Sequence, residues 1–205
     1  MSAIIFDFDG TIADSFDYVT DFLRHQAKLK ELDPMTRQAL KHHSMAAMAK
    51  QLGFRWWRMP GLFFAGRKHM AERVERVPPF EGMPEVIRKL HAEGHELFLL
   101  STNSLRTLHA FLHKQRMHEY FLELYGGVGL FGKAPAMRRL LRDQKLDAAD
   151  AWYIGDEPRD IDAANAVGIR SVAVDWGFAT PEDLRAARPG AIARKPADIL
   201  RILER

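Results

Sequence analysis

The 205-residue chain has 47% hydrophobic residues and a formal net charge of +3, which is an ordinary globular composition and allows one main core plus an inserted subdomain. The absence of cysteine excludes disulfides, thiolate metal sites and cysteine nucleophiles. No stretch approaches the roughly 18 uninterrupted apolar residues of a membrane-spanning helix, and the amino terminus lacks the regions of a signal peptide, so we expect a soluble, cytoplasmic protein without a membrane partner.

The first predicted element is a short strand from Ala3 to Phe6. Its residues are apolar and mostly β-branched or aromatic, which is typical of a strand buried on both faces of a parallel sheet. Asp9-Gly10 predicts a turn directly after it, and a helical pattern begins near Asp14. Asp7 and Asp9 are therefore expected at the carboxyl end of a central strand, where open α/β sheets bind ligands. Taken alone, the same residues also fit ordinary turn and loop positions.

Residues 16 to 77 have helical spacing and no convincing strand. Helix breaks are predicted at Asp33-Pro34, Gly53 and Pro60-Gly61. The run ends at Val77-Pro78-Pro79-Phe80, which predicts a stiff, hinge-like connection. We therefore expect an all-helical insertion, which we call the helical segment, over residues 14–80.

The basic excess of the chain belongs to this helical segment. Residues 14–80 hold 12 Lys and Arg against 7 Asp and Glu, whereas the remainder holds 18 against 20. The excess fits either a solvated helix face or a surface that contacts an anion. Trp56-Trp57 beside Arg55 and Arg58 would suit nucleic-acid stacking. Adjacent helical residues point in different directions, however, so we predict that the tryptophans pack in the core or against the rest of the chain, and that nucleic acid is not a partner.

Strands and helices alternate after the helical segment. The predicted strands are Glu96 to Leu100, Leu122 to Tyr125, Ala151 to Ile154 and Arg170 to Val174. The predicted helices are Ser104 to Gln115, Ala134 to Asp143 and Arg159 to Val167. This alternation implies right-handed crossovers and a mainly parallel sheet. The predicted fold class is α/β, a Rossmann-like sheet flanked by helices with an inserted all-α subdomain.

Polar side chains follow three of these strands on one expected edge of the sheet. Asp7 follows the first strand, Ser101 follows the strand at 96–100, and Asp156 follows the strand at 151–154. Lys133 is expected on the same rim, from the loop before the helix at 134–143. Each alone fits a turn, a helix cap or a surface residue. Their shared location predicts a functional site.

Four short motifs resemble those of the haloacid dehalogenase superfamily of hydrolases. They are DFDGT at 7–11, LFLLST at 97–102, Lys133, and YIGDEPRD at 153–160. The helical segment between the first two motifs resembles the cap of the phosphoglycolate phosphatase-like branch. The resemblance covers residues 3 to about 178 and implies a Rossmann-like core, formed by residues 1–13 and 81–205, with a helical cap formed by residues 14–80.

The resemblance implies a Mg²⁺-dependent phosphatase that acts on a small phosphorylated metabolite through an aspartyl-phosphate. Asp7 would be the nucleophile, and Asp9 would serve as general acid and then as general base. Lys133 and Ser101 would complete the catalytic set. The implied phosphate-binding residues are Thr11, Ser101, Thr102, Asn103 and Lys133. The implied metal ligands are Asp7, the backbone carbonyl of Asp9, Asp156 and, through a water, Asp160 or its rival Glu157.

The motifs count against some alternative functions and leave another open. The family's dehalogenases lack an acid at the position of Asp9, which argues against that activity. A phosphomutase or phosphotransferase would keep every motif, whereas a non-catalytic binding module would require motif decay that the sequence does not show. The basic excess of the helical segment suggests a substrate with a second anionic group, contacted by Arg55, Arg58, Arg67 or the His42-His43 pair. The sequence carries no signal of oligomeric state.

Overall fold

A computed structural model of the chain describes residues 2–41, 43, 45–129 and 132–204. Its centre is a six-stranded sheet. The strands are β1 (Ala3–Phe6), β2 (Glu96–Leu100), β3 (Phe121–Tyr125), β4 (Ala151–Gly155), β5 (Arg170–Val174) and β6 (Ala191–Ala193). Their order across the sheet is β3-β2-β1-β4-β5-β6, and every neighbouring pair is parallel. The predicted α/β fold class is confirmed.

Ten α-helices surround and extend this sheet in the described part of the chain. They are α1 (Phe16–Gln26), α2 (Pro34–Leu40), α3 (Met45–Gln51), α4 (Met59–Arg73), α5 (Met83–Ala92), α6 (Leu105–Lys114), α7 (Lys133–Gln144), α8 (Pro158–Asn165), α9 (Pro181–Ala186) and α10 (Ala197–Leu203). Short 3₁₀ turns are found at Trp56–Arg58, Val74–Arg76, His118–Tyr120 and Ala148–Asp150. Sequence reasoning did not assign β6, α5, α9 or α10. None of the described helices is long and apolar enough to cross a membrane.

Strand β1 lies in the middle of the sheet, between β2 and β4, and it is apolar on both faces. Ile5 aligns with Phe98 on β2 and with Tyr153 on β4. Ile4 and Phe6 pack into the core layer on one face of the sheet, whereas Ile5 packs into the layer on the other. Because both faces are covered, a continuous apolar run satisfies this strand, as the sequence predicts.

The chain leaves β1 through a compact turn and returns beside its point of exit. The amides of Thr11, Ile12 and Ala13 all donate to the carbonyl of Phe8. The Asp14 amide donates to the Pro78 carbonyl at 2.9 Å. These backbone bonds hold the residues before Ser15 in the turn, so the first helix begins at Phe16, two residues after the predicted start near Asp14.

The predicted helix breaks are correct at two positions and wrong at the third. Asp33 caps α2 by accepting from the Thr36 amide at 2.9 Å. Gly53 has a φ of +81° after α3. Pro60-Gly61, by contrast, lies inside the first turn of α4. A proline there costs nothing because first-turn amides have no partner within the helix.

The predicted packing of the two tryptophans is wrong. Trp56 is 80% exposed and Trp57 is 48% exposed. They lie on the 3₁₀ turn between α3 and α4, where Phe54 and Leu62 are the buried neighbours. The Arg55 guanidinium lies over the Trp57 ring, 3.9 Å from its centroid. A short turn can bury side chains on one side only. Phe54 and Leu62 occupy that side, so the tryptophans face solvent.

The contrast between Leu99 and Leu122 tests the packing of the sheet. Leu99 on β2 is fully buried and Leu122 on β3 is 59% exposed. We expect Leu99→Ala to lower the free energy of unfolding by about 2–5 kcal/mol. The matched change Leu122→Ala should cost less than about 1 kcal/mol. Urea unfolding followed by circular dichroism measures both, and equal losses would contradict the assignment of β2 to the core.

Candidate active site

Three aspartates from separate parts of the chain meet at the carboxyl edge of the sheet. Asp7 follows β1, Asp156 follows β4, and Asp160 lies in the first turn of α8. One carboxylate oxygen from each lies within 4.8 Å of the others, and all three residues are buried. The Asp7 amide donates to the Ile154 carbonyl at 2.8 Å. That bond continues the β1–β4 pairing by one residue and fixes the position of Asp7.

Lys133 links two of these carboxylates. Its Nζ donates to Asp7 Oδ2 at 2.7 Å and also to Asp160 Oδ1. The predicted loop position of this lysine is wrong, because Lys133 is the first residue of α7. Burial alone would lower its pKa, but the Asp160 and Asp7 carboxylates hold the pKa of Lys133 well above its usual range. The lysine is therefore a permanent positive charge between two carboxylates.

Asp156 is fixed by a hydroxyl and a backbone amide. Thr11 Oγ1 donates to Asp156 Oδ1 at 3.2 Å, and the Phe178 amide donates to Oδ2 at 2.7 Å. Trp176 Nε1 donates to the Thr11 carbonyl at 3.2 Å. Sequence reasoning did not single out Trp176 or Phe178, although both follow β5 and so belong to the same edge of the sheet. A phosphate-binding role for Thr11 stays a prediction.

Two glycines let the backbone approach Asp156. Gly10 has a φ of +74°, and a Cβ there would lie 2.1 Å from Asp156 Oδ2. A Cβ on Gly177 would lie 2.3 Å from the Asp156 Cβ. Neither position has room for a side chain, so the Asp156 carboxylate is enclosed by backbone on two sides.

Asp9 is held by a residue that follows β2. Asn103 Nδ2 donates to Asp9 Oδ2 at 2.5 Å, and the Asn103 amide donates to Ser101 Oγ at 3.0 Å. Asp9 Oδ1 is buried and has no hydrogen-bond partner among the described residues. Burial raises the pKa of Asp9. The loop of Ser101, Thr102 and Asn103 thus reaches the first motif, as their shared edge predicts.

A second ion pair borders the aspartates. Arg159 pairs with the buried Glu157 carboxylate. Although burial opposes it, the carboxylates of Glu157, Asp160 and Asp7 raise the pKa of Arg159. Sequence reasoning assigned no role to Arg159. Its signal in the sequence is its place in the fourth motif, next to Asp160.

The site holds more negative than positive charge. The carboxylates are Asp7, Asp9, Asp156, Glu157 and Asp160, and the cations around them in the described chain are Lys133 and Arg159. Burial raises the pKa of Asp7 to about 7, with Lys133 opposing. Burial and the neighbouring Glu157, Asp7 and Asp160 raise the pKa of Asp156 well above its usual range. A hard divalent cation with oxygen ligands, such as Mg²⁺, fits this donor set.

A cavity of about 310 Å³ lies between the helical segment and these residues. Its lining includes Asp9, Asn103 and Arg159 from the sheet edge and Phe22, Phe63 and Arg67 from the helical segment. Of the three arginines predicted to contact a second anion, Arg67 is the one that lines it. Arg55 and Arg58 lie over the rings of Trp57 and Phe54.

His43, one of the histidine pair predicted for the same role, does not line the cavity. Its Nδ1 lies 3.0 Å from the carbonyl oxygen of Lys41. His42 lies outside the described residues. Arg67 therefore remains the candidate that the geometry supports.

Comparisons with known proteins give related sequences and a shared fold. The chain is 30% identical over 203 residues to a phosphoglycolate phosphatase of Synechococcus elongatus, covering 98% of this chain and 96% of the relative. It is 24% identical to a 5'-nucleotidase of Pseudomonas aeruginosa, over 98% and 95% of the two chains. A haloacid dehalogenase-like hydrolase from Streptococcus pneumoniae has the same fold, with a TM-score of 0.80, 22% identity and 98% coverage of both chains. Residues 4–174 match the haloacid dehalogenase-like hydrolase family. This match, the related sequences and the edge of buried aspartates show that the chain belongs to the haloacid dehalogenase-like hydrolase family.

Proposed function

We propose that this protein is a Mg²⁺-dependent phosphatase that hydrolyses a small phosphomonoester through an aspartyl-phosphate on Asp7. The observation that carries the proposal is the position of Asp7. It is buried at the end of the central strand, is hydrogen-bonded by Lys133, and lies beside Asp156 and Asp160. Membership of the family and the phosphatase relatives support the same activity.

Asp7 acts as the nucleophile. Lys133 holds Asp7 Oδ2 at 2.7 Å, which leaves Oδ1 to attack phosphorus. A carboxylate anchored to a buried strand suits this step because in-line displacement tolerates little misplacement. We propose that Lys133, Ser101, Thr102, Asn103 and Thr11 bind the phosphoryl oxygens.

Asp9 acts as the proton donor and acceptor. The Asn103 side-chain amide holds Asp9 Oδ2, and Asp9 lines the cavity that a leaving oxygen or a water would enter. A raised pKa, caused by burial, favours a carboxyl that can give up a proton to the leaving group. After that step Asp9 is a carboxylate, and it takes the proton of the water that hydrolyses the aspartyl-phosphate.

Asp7, Asp156 and the backbone carbonyl of Asp9 would hold Mg²⁺. Asp160 would contact it through water, since its Oδ1 is bonded by Lys133 and its Oδ2 accepts from the Glu157 amide at 3.2 Å. The bound ion would neutralise the charge that phosphate and the aspartates bring together. Glu157, which pairs with Arg159, is the less suitable outer contact.

Residues 14–80 serve as a cap over a core formed by residues 1–13 and 81–205. Support comes from the cavity, whose walls are shared by both parts. The chain enters and leaves the helical segment side by side, with Ala13 bridged to Pro79. A cap in this position would exclude water from the first displacement and contact the part of the substrate remote from phosphorus.

We propose a phosphomonoester with a carboxylate, such as 2-phosphoglycolate, as the first substrate to test. Arg67 lines the cavity and can pair with a second anion. A nucleoside monophosphate is the second candidate. It is favoured by the aromatic lining from Tyr18, Phe22, Phe63 and Phe178, and by the 5'-nucleotidase relative.

The first prediction concerns turnover. We expect release of inorganic phosphate from 2-phosphoglycolate or nucleoside monophosphates with Mg²⁺, and loss of activity in excess chelator. Asp7→Asn should lower kcat by at least about 1000-fold, because the nucleophile is lost. Colorimetric phosphate release measures both, and mass spectrometry checks that the variant has not deamidated.

Three outcomes contradict this proposal. Full activity in excess chelator would show that turnover does not depend on Mg²⁺. Near wild-type turnover by Asp7→Asn would exclude Asp7 as the nucleophile. Transfer of the phosphoryl group to a second position of the substrate, with no phosphate released, would indicate a phosphomutase.

The second prediction separates the acid from the base role of Asp9. Asp9→Asn should slow formation of the phosphorylated enzyme about 100-fold or more with an alkyl phosphate, and less with p-nitrophenyl phosphate, whose leaving group needs little protonation. Rapid-quench single turnovers measure the rate. Asp143→Asn, on the exposed face of α7, is the matched control and should leave the rate unchanged. Equal losses with both esters would count against Asp9 as the acid.

The third prediction concerns Arg67. Arg67→Gln should raise KM for 2-phosphoglycolate about 10-fold or more, the worth of a charge-assisted hydrogen bond. It should leave KM for p-nitrophenyl phosphate nearly unchanged, since that substrate has no second anion. Arg55→Gln, which removes a positive charge from the same helical segment outside the cavity, should change neither. An equal rise in KM for both substrates would contradict this role of Arg67. It would indicate that the basic residues of the helical segment form a solvated surface.

A further inference from the structure

Three histidines converge on the surface, outside the candidate active site. His109 and His113 are one turn apart on α6, and His118 begins the 3₁₀ turn His118–Tyr120. His109 Nδ1 lies 2.9 Å from His118 Nε2. The rings of His113 and His118 are stacked, with centroids 4.1 Å apart. One nitrogen of each ring lies within 4.8 Å of the other two.

The convergence is built by the way α6 ends. Arg116 has a φ of +55°, which reverses the chain after the helix. The Met117 amide then donates to the Leu112 carbonyl at 2.9 Å, and the Met117 side chain is buried. This anchor returns His118 to the side of the helix that carries His109 and His113. The arrangement therefore has a fixed backbone.

The cluster lies at the opposite edge of the sheet from Asp7. Helix α6 starts after Ser104 at the catalytic edge and runs back toward the amino end of β3, which begins at Phe121. Parallel strands place all their carboxyl ends on one edge, so the carboxyl end of α6 belongs to the other. No residue of the cluster lines the candidate active-site cavity.

The chemistry of the cluster suits a transition metal. Three imidazoles without a carboxylate are ligands for Zn²⁺ and its neighbours in the first transition row, whereas Mg²⁺ prefers oxygen. Zn–N bonds of about 2.0–2.1 Å in a tetrahedron place nitrogens about 3.3 Å apart. The observed 2.9 Å between His109 and His118 is close to that spacing. The His113 ring, stacked on His118, has to rotate to join them, because parallel rings cannot direct their in-plane lone pairs at one ion. His109 and His113 are exposed, so an ion and a completing water have access.

A further feature favours a bound cation. The carboxyl end of α6 presents the negative end of the helix dipole to the cluster.

We propose that His109, His113 and His118 form a binding site for a transition-metal dication such as Zn²⁺, separate from the Mg²⁺ site of the proposed phosphatase. The test is a titration of the untagged full chain with Co²⁺ and with Zn²⁺ in excess Mg²⁺. We expect one ion per chain and the visible absorption of tetrahedral Co²⁺. Groups that merely orient metal ligands are worth about 10- to 100-fold in affinity, so removal of a ligand should cost at least about 10-fold.

We expect weaker binding of Co²⁺ and Zn²⁺, by at least about 10-fold, in each of the variants His109→Gln, His113→Gln and His118→Gln. Each variant should keep the circular dichroism of the wild type. His91→Gln is the matched control, because His91 packs on the Tyr120 ring and lies outside the cluster. Asp7→Asn should bind Co²⁺ as tightly as the wild type, which separates this site from the catalytic edge.

Three outcomes overturn the proposal. They are no binding of either ion at millimolar concentration, binding that survives replacement of all three histidines, and one ion per two chains with a doubled mass in light scattering. The last result would assign the histidines to a metal-bridged interface between copies of the chain.

Discussion

The double hydrogen bond of Lys133 is the interaction on which the site depends. It connects α7 to the end of β1 through Asp7 and to the first turn of α8 through Asp160. Burial and the neighbouring Asp160 carboxylate raise the pKa of Asp7, and this cation opposes that rise. The lysine therefore orients Asp7, the proposed nucleophile, and the excess negative charge that remains at this edge favours a divalent cation.

The central position of β1 explains why so much converges at one point. Neighbours on both sides deliver Asn103 from β2 and Asp156 from β4 to the turn that carries Asp7 and Asp9. The same turn sends the chain into the helical segment and receives it back at Pro78 and Pro79. One strand end thus positions the proposed nucleophile, the proposed acid and the cavity wall that faces them.

The cavity joins two kinds of surface. The sheet edge supplies charged groups that suit a phosphoryl group, whereas α1 and α4 supply aromatic side chains and Arg67. A shared phosphate site with a separate wall for the remainder of the substrate is consistent with relatives whose named substrates differ, phosphoglycolate for one and a nucleotide for another. The specificity of this protein is therefore expected to depend on the helical segment.

Local hydrophobic periodicity and chain order predict the strands that end in the motifs, the parallel sheet and the aspartates at its edge. The folded chain was needed to learn that the Phe178 amide binds Asp156, that Asn103 holds Asp9, and that Trp56 faces solvent. It also decided which arginine of the helical segment reaches the cavity. These contacts join residues far apart in the chain, or depend on which way a short turn faces, and neither is written in the spacing of neighbouring residues.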